Sequence, residues 1–390
     1  LANRSVCLYA FIMTIYLDYN ATAPLRPEVI EAMQPWLAGP HNPSSIHAAG
    51  RKARMAIERA REAIAAAIGA DPANIIFTAS GSEANNQALR ASKPTALFVS
   101  AIEHASILTP AKESGLPHHL IPVDEQGRIE PDALDALLAA NPSARPLVST
   151  MLANNETGVI QPIEAIAAIA RKHSAMLHVD AAQALGKIPL HIGELGADLV
   201  TLSAHKMGGP LGAAALVQGS CFGIEPFIFG GGQEKNRRAG TENLPAIIGF
   251  AKAVESIDLA QMQALAAWRD AMEQAILAKA PDTVIFGQGS PRLPNTSNLA
   301  MPPIQGKRVA SHTQLMAFDL AGIAVSSGSA CTSGKVGSSH VLEAMGVSKD
   351  IAASAIRISG GWNSTESDFA KAAECWLKQY EKSASLRSMA

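Results

Sequence analysis

Lys206 follows an apolar run and precedes a glycine-rich turn, in LVTLSAHKMGGPLGAAALV. Surface lysines rarely keep such company. A lysine held in a partly dry pocket has a lowered pKa, and its neutral amine forms a Schiff base with an aldehyde. Ser203 and His205 stand just before it. Asp180 closes another apolar run, in HVDAAQALG, 26 residues earlier. A buried carboxylate is costly unless it meets a cation or hydrogen-bond donors. An aspartate that keeps a heterocycle nitrogen charged, and a lysine that holds an aldehyde, are the pair that pyridoxal phosphate (PLP) requires. At this level a helix-capping Asp180 and a structural salt bridge account for the same residues.

Two further patterns carry chemistry. Cys331 sits in AVSSGSACTSGKVGSSH. A structural cysteine packs as a small hydrophobe, but these neighbours are small, polar and flexible, which predicts a mobile, exposed loop and a thiol with chemical work to do. TASGSEANN reads as a strand, a Gly/Ser turn and a helix start. Backbone N–H groups there, with Ser82 beside them, favour a phosphate; a plain helix cap explains the stretch equally well.

The elements that must position these residues alternate. Residues 44–69 read as a helix that Ser44 or Ser45 can cap and Gly69 ends. NIIFTAS, TALFVS, PLVSTML, AMLHVD and ADLVTLS read as strands, with SEANNQALRAS and IEAIAAIARKHS as helices between. This implies an α/β fold, a mainly parallel sheet covered by helices on both faces. After LPAIIGFAKAVESI the pattern becomes α+β, with a long helix near 257–280 and strands in NTSNLAM, IAVSSG and AIRISG. The domain boundary falls near 255: a large domain over 13–255 and a smaller C-terminal domain over 256–390 that carries the Cys331 loop. His118 and His119 fall in an expected surface loop and receive no role.

The totals set limits. A length of 390 residues with 48% hydrophobic content provides for about two domains with sizeable cores. A formal net charge of −2 gives no argument for nucleic acid or an acidic membrane surface. No apolar run reaches the ~18 residues that span a bilayer. The four cysteines, Cys7, Cys221, Cys331 and Cys375, form no CxxC pair, so no metal knuckle is expected and a reducing, cytoplasmic setting fits. Cys7, Cys221 and Cys375 read as structural or incidental. Residues 1–12 read as an upstream extension before Met13, with a short targeting segment as the alternative.

YLDYNATAP, HNPSSIHAAGRKAR, FTASGSEANN, EHASIL, NNETGVIQP, HVDAAQALGK, SAHKMGGPLG, RRAGTEN and SSGSACTSG occur in that order. Together they resemble the cysteine desulfurases of the nitrogen-fixation and iron–sulfur-cluster type, in the class V aminotransferase group of fold-type-I PLP enzymes. The resemblance spans about 13–380. It implies that Lys206 binds PLP covalently, Asp180 pairs with the pyridine nitrogen, Gln183 bonds the ring hydroxyl and His104 stacks on the ring. Read without the resemblance, His104 is equally a core residue or a cap. Gly81, Ser82, Ser203 and His205 would hold the phosphate. Thr241 would reach the phosphate of a neighbouring subunit, which implies a homodimer. Asn155 and Arg357 would bind the substrate carboxylate, a task suited to the guanidinium fork.

In such a family the loop cysteine, here Cys331, attacks the sulfur of PLP-bound L-cysteine, leaving L-alanine and an enzyme persulfide for a sulfur-acceptor protein such as an iron–sulfur scaffold. Cys331 is also a candidate transient ligand to an iron–sulfur cluster. Three departures stand out: Ala204 where glycine is common, Ala23 where threonine is frequent, and Ala239 where serine is common. None removes a reacting group. Rival readings are another class V enzyme, an aminotransferase or selenocysteine lyase, and a sulfur-relay scaffold without PLP. Cys331 argues against the aminotransferase, and Lys206 with Asp180 against the scaffold.

Overall fold

The computed structural model describes residues 15–219, 223–303, 309–327 and 339–388. Cys7, Cys221, Cys331 and the expected extension over 1–12 lie outside the described residues.

Seven strands form the central sheet, in the spatial order Ile75–Thr78, Ala214–Gln218, Leu199–Ser203, Met176–Asp180, Pro146–Met151, Ala96–Ser100 and His118–Ile121. Ala214–Gln218 runs antiparallel to both neighbours, and all other pairs between neighbours are parallel. Helices cover it, so the inner strands are buried along their whole length and read as near-continuous apolar runs.

Two local expectations are corrected, and one strand went unread in the sequence. His118 and His119 belong to the edge strand, not to a loop. His119 stacks on Phe98 of the adjacent strand at 4.9 Å between ring centroids; an edge strand tolerates polar side chains because one side faces water. The strand Ala214–Gln218 hides in the Ala-rich GAAALV, whose local preference is weak. Its ladders to both neighbours decide its conformation. The long helix Ala48–Ile68 is capped by His47, whose ring accepts from the Gly50 N–H at 3.3 Å, and not by Ser44 or Ser45. The chain folds back so tightly that a Cβ on Gly50 would stand 2.2 Å from the Ser45 carbonyl oxygen. Gly69 does end the helix, in the left-handed region at φ 63°.

Two main cores result. The larger joins the sheet to its helices and draws its buried residues from Val29 to Val254, among them Ile64, Phe98, Leu202 and Phe250. The second gathers Phe318, Ile356, Trp376 and others between Met262 and Leu377, together with Leu17. Its sheet is Ala355–Ser359, Thr296–Ala300 and Val284–Ile285, all antiparallel. The short strand Ile15–Tyr16 pairs with Ile323–Ala324, and the Asn20 N–H donates to Ser359 Oγ at 3.0 Å. The first described segment is thus pinned to the second core just before it passes Lys206.

Arg61 and Glu234 form a bidentate buried ion pair, with both nitrogen–oxygen distances 2.8 Å. Glu234 also accepts from the Phe77 N–H. These bonds hold Glu234, Lys235 and Asn236 in left-handed backbone, φ 47°, 56° and 63°, a conformation costly for residues with a side chain. The pair anchors the segment that leads to Thr241.

Inside the sheet, His178 bridges Ser149 Oγ at 2.9 Å and Thr201 Oγ1 at 3.0 Å. Burial pushes its pKa down to about 4. The unfolded chain takes up this proton near ~6.5 while the fold excludes it. Stability from this site is therefore complete above ~6.5 and declines as pH falls toward 4, by up to about 3 kcal/mol. We expect the denaturation midpoint to fall over that window, and to fall less steeply in His178→Asn. Identical pH profiles for the two proteins would refute the assignment.

Candidate active site

The carboxyl ends of the parallel strands open on one cavity of about 290 Å³. Among the described residues, every site residue expected from the sequence lines it except Thr241. This is where open α/β sheets place ligands.

Each wall has a local cause. Strand Leu199–Ser203 ends in a single tight turn, Ala204–Lys206, that lifts Lys206 to the rim. Its Nζ donates to the carbonyls of Asn20 at 2.7 Å and Ala21 at 2.9 Å. Strand Met176–Asp180 ends on Asp180, which is 7% exposed. Asp180 Oδ1 accepts from the Ala182 N–H at 2.9 Å, and Oδ2 accepts from Asn85 Nδ2 at 2.8 Å. A carboxylate with one donor on each oxygen keeps lone pairs for another. Gln183 donates through Nε2 to the Asn20 carbonyl at 2.9 Å.

Helix Gly81–Ala91 starts at the cavity. Ser80, not Ser82, is its cap and accepts from the Glu83 N–H. A helix start leaves its first N–H groups without intrahelical partners, and Gly81 and Ser82, which carry them, line the cavity. Ser203 Cβ lies 3.7 Å from a Cβ built on Gly81, so the two close the same corner. His205 completes it, with Nδ1 3.2 Å from Thr22 Oγ1. Burial, with Lys206 and Lys187 nearby, pushes the His205 pKa down to about 4, so the ring is neutral at pH 7.

His104 stands both at a helix start and in the cavity wall. It caps helix Ala105–Glu113 by accepting from the Ser106 N–H, and it lines the cavity. Burial lowers its pKa, Asp180 works against that, and Lys206 and His340 reinforce it. Arg357 is 3% exposed and lines the cavity. Its fork is partly engaged already, with Nη2 on Asp18 Oδ1 at 2.7 Å and Nη1 on the Asn155 carbonyl at 2.9 Å. Its Nε is buried and has no partner among the described residues. Thr241 is exposed and outside this cavity, and Cys331 lies outside the described residues.

Sequence reasoning missed Asn20, Asn85 and Glu103. Asn20 lies in YLDYNATAP and Asn85 in SEANN, both among the noted motifs, but nothing local marked them as ligands of Lys206 and Asp180. Glu103 is fully buried, accepts from the Met151 N–H at 2.7 Å, and is pushed well above the usual carboxylate range by burial and by Asp180. No group of three or more potential metal ligands occurs among the described residues.

The sites fit PLP. A helix start offers N–H groups to a phosphate, Asp180 keeps acceptor capacity for a ring N–H, and the Lys206 amine faces the same space. The aminotransferase class-V family model matches residues 15–371. "Cysteine desulfurase IscS" of Dictyoglomus turgidum is 41% identical over 367 residues, 91% of each chain. Among solved structures, a NifS-like protein from Rickettsia africae superposes with a TM-score of 0.86 at 38% identity, covering 94% of this chain and 99% of that one. SspA, solved in complex with cysteine, superposes at 0.77 with 31% identity over 89% of this chain and 98% of its own. The chain belongs to the aminotransferase class-V family of PLP-dependent enzymes and, within it, to the cysteine desulfurases.

Proposed function

We propose that this protein removes sulfur from L-cysteine, releases L-alanine and carries the sulfur as a persulfide on Cys331. The observation that carries this reading is the meeting of Lys206, Asp180 and Gln183 in one cavity, in a chain 41% identical to a cysteine desulfurase. When bound, PLP supplies an electron sink next to the substrate Cα. Asp180 would hold the ring nitrogen's proton, and Gln183 would bond the ring hydroxyl. His104 would cover the ring, and the helix start with Ser82, Ser203 and His205 would bind the phosphate. Lys206 would anchor the aldehyde and move protons between Cα and Cβ. Asn155 and the unpartnered Nε of Arg357 would orient the substrate carboxylate, with Asp18 fixing the guanidinium plane.

The sulfur step balances without an outside oxidant. The Cys331 thiolate attacks the substrate sulfur, an S–S bond forms, and the substrate C–S bond breaks with its electron pair left on carbon. Two protons, one of them from the Cys331 thiol, return to the substrate and complete alanine and the persulfide.

Two features support a homodimer in which Thr241 serves the neighbouring site. Thr241 is exposed on a segment tied down by the Arg61–Glu234 pair and by Arg238 on Glu83. A groove of about 520 Å³ with Trp36, Met55 and Ile248 in its walls offers apolar surface to a partner. The two separate cores favour a domain division near residue 255. The persulfide would pass to a sulfur-acceptor protein such as an iron–sulfur scaffold. The scattered cysteines favour a reducing, cytoplasmic setting; no described helix is long and apolar enough to cross a membrane.

Product analysis tests the reading. The holoenzyme with L-cysteine should release alanine, with one protein-bound sulfane sulfur per alanine in the first turnover. Pyruvate as the main product would replace it with an aminotransferase-type or eliminating enzyme. Activity confined to selenocysteine would replace it with a selenocysteine lyase.

A further inference from the structure

Lys187 is 4% exposed, and among the described residues no carboxylate pairs with it. A buried lysine without a counter-ion is rare and costly. Its two hydrogen-bond partners are both neutral amides of the site: Nζ donates to Asn20 Oδ1 at 2.7 Å and to Gln183 Oε1 at 2.5 Å. It does not line the cavity but stands behind Gln183, four residues further along the chain.

We propose that Lys187 is a positioning residue of the cofactor site: its amine sets which way the Gln183 amide faces and holds Asn20, whose carbonyl receives Lys206. The proposal rests on the reading of Gln183 and Lys206 as cofactor residues. A glutamine amide has one accepting and one donating end, and the ammonium group only donates. The atom facing Lys187 is therefore the oxygen, and the NH₂ is turned to the Asn20 carbonyl and the cavity. Without the lysine the amide is no longer held to that orientation.

Asn20 is held from every side. Its Oδ1 accepts from Lys187 and from Asn295 Nδ2 at 3.2 Å, and its Nδ2 donates to Thr296 Oγ1 at 2.9 Å and to the Asn155 carbonyl at 3.2 Å. The backbone oxygen so fixed accepts from both Lys206 Nζ and Gln183 Nε2. One amine thus governs the two groups that would meet the cofactor's aldehyde end.

A double-mutant cycle on the holoprotein tests this through two readouts other than turnover: the PLP dissociation constant and the pH midpoint of the visible cofactor band. Lys187→Met should weaken PLP binding by roughly tenfold, the scale of a lost buried hydrogen bond, and should move the midpoint. Gln183→Leu should do the same, and the double variant should be little worse than either single one, because both remove one chain of contacts. Additive effects, or a Lys187→Met protein with unchanged affinity and midpoint, would overturn the proposal. If Gln183→Leu alone moves neither readout, the cofactor role of Gln183 fails and the proposal with it; if only Lys187→Met is silent, the Lys187 role alone is lost. Should Lys187→Met not fold, Lys187→Gln, which lacks the ammonium donor set, is read in the same cycle.

Discussion

Lys206→Ala is expected to abolish turnover and the covalent cofactor together. Alanine has no amine to offer an aldehyde and no group to carry a proton, so the rate should fall by at least ~10³-fold, the scale seen when a catalytic base or covalent nucleophile is lost. The fold should survive, because Lys206 is only half-buried and its bonds to Asn20 and Ala21 go to backbone carbonyls beside the cavity. PLP should still bind, more weakly, through the helix start at Gly81 and the carboxylate of Asp180. Borohydride reduction followed by peptide mapping is the decisive measurement. The wild-type protein should yield one reduced PLP–lysine, at Lys206, and the variant none. A reduced adduct elsewhere in the variant, Lys187 included, together with retained turnover would show that another amine holds the cofactor.

Cys331→Ser should separate cofactor chemistry from sulfur transfer. The hydroxyl is nearly isosteric but forms no persulfide, and every residue of the described cavity is unchanged. The variant should keep its visible band and still show a spectral response to L-cysteine, while alanine release drops by ~10³-fold or more. Cys331→Ala should behave alike. In the wild type, mass spectrometry after exposure to cysteine should find added sulfur on the Cys331 peptide and not on those with Cys7, Cys221 or Cys375. Cys375 has a pKa raised by burial, which keeps its thiol protonated and poorly nucleophilic. Desulfuration by Cys331→Ser at close to the wild-type rate would instead point to a lyase that frees sulfide directly.

The Arg357 geometry bears on both experiments. Its pairing with Asp18 and Asn155 means that a substrate carboxylate bound there, as proposed, would meet a guanidinium already fixed in orientation, with Nε unpartnered among the described residues. Such preorganisation limits what must be ordered on binding.

Much of this was legible in the sequence for physical reasons. Apolar runs such as PLVSTM and LVTLS become buried parallel strands because helices cover both faces, and residues closing those runs must emerge at the carboxyl edge. Asp180 and Lys206 therefore had to share an edge once their strands paired, as they do. The order of the motifs by itself points to PLP and to a cysteine desulfurase.

Other features were settled only by tertiary structure, because they depend on atoms far apart in the chain. Nothing near Asn20 says that its carbonyl will meet Lys206, 186 residues away. Nothing near Asp18 says that it will occupy one arm of Arg357, 339 residues away. His104 looked like a choice between cap and site, and packing makes it a cap that also lines the cavity. The alanine-rich strand Ala214–Gln218 and the histidine-bearing edge strand had weak local preferences, so their neighbours' unpaired backbone groups decided them. Nothing near Lys187 marks it out; only closure of the first segment over the sheet buries it between Asn20 and Gln183. Sequence determined which chemical groups are available and on which element each stands. Folding determined which of them meet, since hydrogen bonds and desolvation act over a few ångströms of space regardless of separation along the chain.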